Sequence, residues 1–436
     1  MTTNITEQFS RFAADLTVGN VGASVIAEIR KHVADTYVAG IAGACMPMNA
    51  VYLAGVAAST PPGDVLVPET AICTDAHNAA ACLAGLAHST EADDGYRAGS
   101  YHPGVVCVPT GLYLGHAQGQ ALSDILTAVI AGYEISCRIS ELMHPMSRKR
   151  GFHNTGIIGV LGAAVTAGQL FGLDGMQMRH GIGLAASAAG GLFAFVDGGD
   201  TKRLHPAHAV KVGIEAAIFA REGVEGPPDV LQSPNGFLSA YAGDEALMRA
   251  ELMQLSWDSL VADKCYIKPY ACCRHLHPGM EAAMTLADTH SFSADDIQSI
   301  EIRTYAIAAA HAEVGWETSA SAQLSYPYCI AAALVHGPMT PQHVSEDYLR
   351  DPEVNRLAAH IQVKTDETSD RRYPAERPAS VKLMTKAGTG YETSVSIPLG
   401  APERPLDDAA FRLKLAHMLE PARDGALAKT LVKAIL

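Results

Sequence analysis

The period of the apolar residues changes once along this chain, and that change limits the fold more than any other feature. From residue 5 to about residue 260 apolar positions recur at three- and four-residue steps, the spacing of a helix face. In 21–43 the face is Val25, Ile26, Ile29, Val33 and Tyr37, and Gly43 ends it. Stretches 50–59, 76–88, 111–117, 121–141, 156–171 and 175–189 read the same way. Their faces are rich in small residues, which lets helices approach closely. Near residue 263 the period becomes two. SIEIRTY (299–305), HIQVKT (360–365), ASVKLMT (379–385) and YETSVSI (391–397) alternate apolar and polar residues, as strands with one wet face do. Helical stretches 277–289, 328–335 and 352–359 lie between them, and helical spacing returns in 407–419 and 424–436.

The pattern predicts a mainly α chain with an α+β part. A large all-helical domain is expected from 1–264 and 398–436, with a smaller α+β domain, 265–397, inserted into it. Two domains suit 436 residues, and a hydrophobic fraction of 48% supplies a core without disulfide or metal staples. A net charge of -14 argues against a nucleic-acid partner, which calls for a basic face. No run of about 18 uncharged apolar residues reads as a membrane span, and the apolar stretch 182–196 reads as buried core. The N-terminal segment lacks the apolar region of a signal peptide, so the expected location is the cytoplasm. Nine cysteines without a C-x-x-C pair predict neither disulfides nor a zinc or iron–sulfur centre.

Against the acidic background, three segments concentrate basic and titratable residues. They are KPYACCRHLHPG (268–279), TKRLHPAH (201–208) and YHPG (101–104), the last following Glu91, Asp93 and Asp94. Each is broken by Pro or Gly, as loops converging on an anion-binding pocket would be. No dinucleotide fingerprint, P-loop, H-E-x-x-H or nucleophile elbow is present, so no cofactor and no metal is expected. His102 reads as an acid–base residue in a turn, with upstream carboxylates to fix its tautomer, or else as a helix cap. His153 lies in RKRGFHNTG (148–156), where Asn154 or Thr155 reads as the N-cap of a helix whose amino end favours anions. Lys202 and Arg203 follow a glycine-rich loop, with a helix opening near Pro206. Lys202 is a candidate base or clamp, and surface charge is the competing reading. Arg274 can grip a carboxylate by two hydrogen bonds. Tyr328, in SYPYC (325–329), reads equally as a substrate contact or an interior tyrosine.

Taken in order, DTYVAGIAG (35–43), EADDGYRAGSYHPG (91–104), RGFHNTG (150–156), TKRLHPAH, KPYACCRH (268–275) and SYPYC resemble the MmgE/PrpD family. The resemblance implies a helical domain closed by both chain ends, a homodimer, and catalysis without metal or organic cofactor. It carries the active-site positions to His102, His153, Lys202, Lys268 and Tyr328, with an acidic position at Glu91 or Asp93. Arg203, Arg274 and His275 join them as candidate substrate contacts. The implied activity is a lyase, dehydratase or decarboxylase, acting on a small di- or tricarboxylate. The alternatives are an epimerase of an amino-polycarboxylate such as iminodisuccinate, and a non-catalytic organic-anion binder. One departure favours the epimerase: Asp94 is followed by Gly95, where the family's dehydratases and decarboxylases resemble D-D-T.

Overall fold

A computed structural model describes residues 4–251, 253, 255, 260–423 and 425–436. Helices α1 (Ile5–Asp15), α2 (Ala23–Ala44), α3 (Ala50–Ser59), α4 (Ala76–Ser89), α5 (Gly104–Ala117) and α6 (Leu122–Met143) are followed by Gly159–Leu170, Gly175–Ser187 and Thr201–Arg221. Side-chain caps start several of them. Asn4 accepts from the N–H groups of Thr6 and Glu7, and Asp75 from that of Asn78. Small residues set the packing distance. A Cβ on Gly213 would lie 2.6 Å from both Ala163 Cβ and Val160 O, so helix Thr201–Arg221 can reach helix Gly159–Leu170 only with glycine there.

Strands β1 (Val65–Leu66) and β2 (Cys73–Thr74) form a short hairpin, and β3 (Gly95–Tyr96) pairs antiparallel with β4 (Cys265–Tyr266). The main sheet holds β5 (Ile297–Thr304), β6 (Ile361–Thr365), β7 (Ala379–Thr385) and β8 (Gly390–Val395) in the order β6-β5-β7-β8. The β5–β6 pair is parallel and the other two are antiparallel. Ile300, Ile302, Val381 and Leu383 are buried on one face with residues of helices His277–His290 and Tyr326–His336.

A separate, larger core unites residues of α1, α2, α4, α5 and α6 with Phe411, Leu415, Met418 and Val432 of helices Asp408–Leu419 and Gly425–Ile435. The last helix was expected from residue 424, which lies outside the described residues. Within that core Lys414 is buried against Asp35 of α2 and donates to Ala92 O at 2.9 Å. Burial raises the Asp35 carboxyl to about 6 despite Lys414.

Two helices start earlier than their apolar period indicated. Helix α5 starts at Gly104 and carries Pro109 inside it, and the helix expected near Pro206 already opens at Thr201. Stretch 156–171 is divided into Asn154–Ile157 and Gly159–Leu170. No single helix among the described residues is long and apolar enough to cross a membrane.

Candidate active site

The acidic loop between α4 and α5 is held from all sides. Asp94 Oδ1 accepts the Gly104 N–H at 3.0 Å, and Oδ2 accepts Tyr133 OH at 2.7 Å with His32 Nδ1 2.8 Å away. Asp94 therefore anchors the loop. Pairing of β3 with β4 lays the segment leading to Lys268 beside it. Gly95 is obligatory here: a Cβ would meet the Tyr266 hydroxyl at 2.3 Å. The departure from the family pattern thus has a spatial counterpart, because a phenol fills the space a larger side chain at 95 would need. Glu91 has φ +54°, a left-handed conformation costly for a residue with a Cβ.

That backbone presents two carboxylates to two imidazoles and two ammonium groups. Asp93 Oδ2 lies 2.7 Å from His88 Nδ1 and 3.0 Å from His102 Nδ1, while Oδ1 lies 3.4 Å from Lys268 Nζ. Glu91 accepts Lys268 Nζ at 2.8 Å and is also paired with Lys202. Burial opposes ionisation of both carboxyls. Lys202 and Lys268 nonetheless hold Glu91 below the usual carboxylate range, and His102 and Lys268 do the same for Asp93. Lys268, buried against these two carboxylates, is pushed upward and stays an ammonium. The Nδ1 atom of His102 also lies 2.6 Å from Asp94 O, so the hydrogen-bond network assigns the proton to Nδ1 and leaves Nε2 free. The His102 side chain is 20% exposed, whereas that of Asp93 is wholly buried.

Neutral imidazoles back this group. Burial, aided by Lys202, lowers His88 to about 4. The His88 ring stacks on His153 at 5.5 Å, and His153 Nδ1 is 2.8 Å from His205 Nδ1, a pair that shares one proton. Burial first, then His88, holds His153 far below its ordinary value. His153 occupies the N-cap position of Asn154–Ile157 without capping it. Asn154, expected as a cap, instead donates to Gly99 O at 2.6 Å and fastens the loop carrying His102.

Lys268 continues into a second group. His275 Nδ1 lies 2.6 Å from Tyr305 OH, and its ring stacks on His311. Cys273 Sγ is 3.7 Å from His311 Nε2, whose other nitrogen meets Leu324 O at 2.8 Å. Although burial works against both charges, the pair raises His311 to about 9 and lowers the Cys273 thiol, favouring thiolate and imidazolium. The Arg274 and Arg377 guanidiniums lie 5.0 and 5.8 Å from the centre of the Tyr266 ring.

Of the residues singled out from sequence, the structure gathers Glu91, Asp93, His102, Lys202 and Lys268 directly, with His153 behind them. Three others are directed elsewhere. Arg203 donates to Met48 O and Asn49 Oδ1 at 2.8 and 2.6 Å, fixing α3 to its own helix. Tyr328 is fully buried and donates to His343 O, its interior-tyrosine reading. Arg274 spends its donors on Leu399 O and Pro398 O, at 2.8 and 3.1 Å, where the chain leaves the sheet. His205, a candidate from its place in TKRLHPAH, joins His153, whereas His88, His311 and Arg377 were not singled out. His88 ends a helix without a flanking motif, and only the Pro-bounded turn YPAERP (373–378) hinted at Arg377.

His88, Asp93 and His102 place ligand atoms within 4.8 Å of one another and could surround a cation, an arrangement invisible in their spacing. Their fit to a metal is poor. Both imidazoles turn Nδ1 to the same carboxylate oxygen at hydrogen-bond distance, and an ammonium stands 3.4 Å from Asp93. The Nδ1 atoms and the carboxylate are taken up by one another, while His88 Nε2 is buried without a hydrogen-bond partner among the described residues.

Residues 7–249 match the model of the MmgE/PrpD N-terminal domain, and residues 270–435 that of the MmgE/PrpD C-terminal domain. Over 424 residues the chain is 25% identical to a cis-aconitate decarboxylase of Aspergillus terreus, covering 92% of this chain and 86% of that protein. The human cis-aconitate decarboxylase is 26% identical over 384 residues, 84% of this chain and 77% of that one. A mitochondrial 2-methylcitrate dehydratase of Yarrowia lipolytica is 22% identical over 298 residues, 65% of this chain and 56% of the relative.

Proposed function

This chain belongs to the MmgE/PrpD family, and we propose that it is a lyase that breaks a bond beside a carboxylate of a small di- or tricarboxylate. The observation that carries the reading is Asp93 shared by His88, His102 and Lys268, which leaves His102 Nε2 as the free nitrogen of a part-exposed ring. In decarboxylation the C–C bond to the departing carboxylate breaks, CO₂ leaves, and the electron pair stays on carbon. Lys268 and its neighbouring cations stabilise that charge, and His102, once Nε2 has taken a proton from solvent, passes that proton to the carbon and returns to its neutral form. In dehydration His102 instead takes the proton next to the carboxylate, and the β-hydroxyl leaves with a proton supplied by an acid. Decarboxylation is the first arm of the reading, because the decarboxylase relatives align over most of the chain.

The epimerase alternative gains nothing from these relatives, which are decarboxylases and a dehydratase. Gly95, the residue that favoured it, is accounted for by the Tyr266 ring.

The experiment is a panel of polycarboxylates, cis-aconitate and 2-methylcitrate included, followed by NMR with protein dialysed exhaustively against a chelator. Release of CO₂, or an alkene formed by loss of water, is expected from the dialysed protein. The absence of both with every compound contradicts the reading, and activity that returns only with added metal contradicts the cofactor-free part.

A further inference from the structure

Four cationic side chains, Lys202, Lys268, Arg274 and Arg377, stand around Glu91 and Tyr266, and the protein answers three of them. Lys202 and Lys268 are paired with Glu91 and Asp93, and the donors of Arg274 reach two backbone carbonyls. Arg377 is the exception. Its side chain is buried, at 8% exposure, and its Nε has no hydrogen-bond partner among the described residues. No described carboxylate forms an ion pair with it. A guanidinium taken out of water without a counter-charge is costly, and the Tyr266 ring face 5.8 Å away returns only part of that cost. The group is held in place nonetheless. Its backbone N–H donates to Ser396 O at 3.2 Å, just before β7, and Tyr305 and Tyr373 stack beside it at 4.6 Å. The Tyr266 ring that faces Arg377 has its hydroxyl beside Gly95 of the acidic loop, so Arg377 and the acid–base cluster neighbour the same side chain.

We propose that Arg377 binds a second carboxylate of the substrate, one that does not react. The proposal rests on the carboxylate-lyase reading and deepens it, since it makes the substrate at least a dicarboxylate. A guanidinium suits this role because it meets a carboxylate with two parallel N–H donors. Anchoring the far end of the molecule holds the reacting carbon against His102.

The test is calorimetric binding of propane-1,2,3-tricarboxylate, which is saturated and carries three carboxylates, and of butyrate, which carries one. Wild type, R377Q and R377K are compared, with unfolding midpoints measured without ligand. Tricarboxylate affinity should fall about ten- to a hundredfold in R377Q, the loss expected for charge-assisted hydrogen bonds, and less in R377K. Butyrate affinity should not change. The unliganded midpoint of R377Q should be unchanged or higher, because no protein partner is lost. Equal tricarboxylate affinity in R377Q overturns the proposal alone. So does a lower unliganded midpoint, which would give Arg377 a structural partner. A wild-type protein that binds no carboxylate overturns the lyase reading and this proposal together.

Discussion

Asp93 receives both His88 and His102 on one oxygen, so a single buried carboxylate sets the tautomer of two imidazoles. That arrangement makes His102 separable from the fold. His102→Asn keeps polarity but cannot move a proton near neutrality, and it should lower kcat by about 10²–10⁴-fold. The unfolding midpoint should hardly move; a normal kcat with a lowered midpoint would make His102 a structural residue. His88 behaves differently, because it is buried and neutral. Its folded value, about 4, lies below the unfolded one, so its stabilisation is complete above about pH 6.5 and drains away as pH falls towards 4. Glu91 and Asp93, also shifted downward, add losses below about pH 4.5. Stability from urea titrations should therefore decline from pH 6.5 to 4. His88→Gln should flatten that slope by up to about 1.4 kcal/mol per pH unit, the contribution of one proton. An unchanged slope in the variant would show that His88 titrates normally.

Among elements, the joints matter more than the helices. The two-residue pair of β3 with β4 brings the acidic loop to Lys268, yet nothing in the period of either segment announces a strand. Lys414 joins a C-terminal helix to Asp35 of α2 and to the carbonyl of Ala92, between the two site carboxylates. Removing one partner of a buried pair strands the other charge. Lys414→Met should cost about 3–5 kcal/mol in chemical denaturation, and adding Asp35→Asn should return part of it. Equal losses in single and double variants would mean that the pair contributes nothing as a pair. The long helices and all four strands of the main sheet were legible, because burying one face imposes a period. Helix starts at 104 and 201 were not: the helical period was read from 111 and from near Pro206, and Pro109 and Pro206 sit inside their helices. Contacts such as His153 with His205, or Cys273 with His311, join residues 52 and 38 positions apart and leave no local trace.

At the scale of the molecule, two apolar cores accompany a mostly buried group of ionised and neutral titratable side chains. The ordered motifs indicated which segments meet there, but not which side chains turn inward. Lys202 and Lys268 do, while Arg203 and Tyr328 are spent on the scaffold. The partners explain the difference. Lys202 and Lys268 meet at Glu91, whereas Arg203 is paired with Asp200 and bonded to Met48 O and Asn49. The inserted sheet then contributes Arg377 from a turn whose composition is unremarkable. The account stands on cleavage of a bond beside a carboxylate, and running the polycarboxylate panel in D₂O tests that most directly. The expected result is loss of CO₂ or of water from a substrate of the panel. Loss of CO₂ would leave one solvent deuterium on the carbon it departed from, and loss of water would leave none on the product alkene. Deuterium entering the substrate with its mass otherwise unchanged, and neither CO₂ nor water lost, would contradict the account.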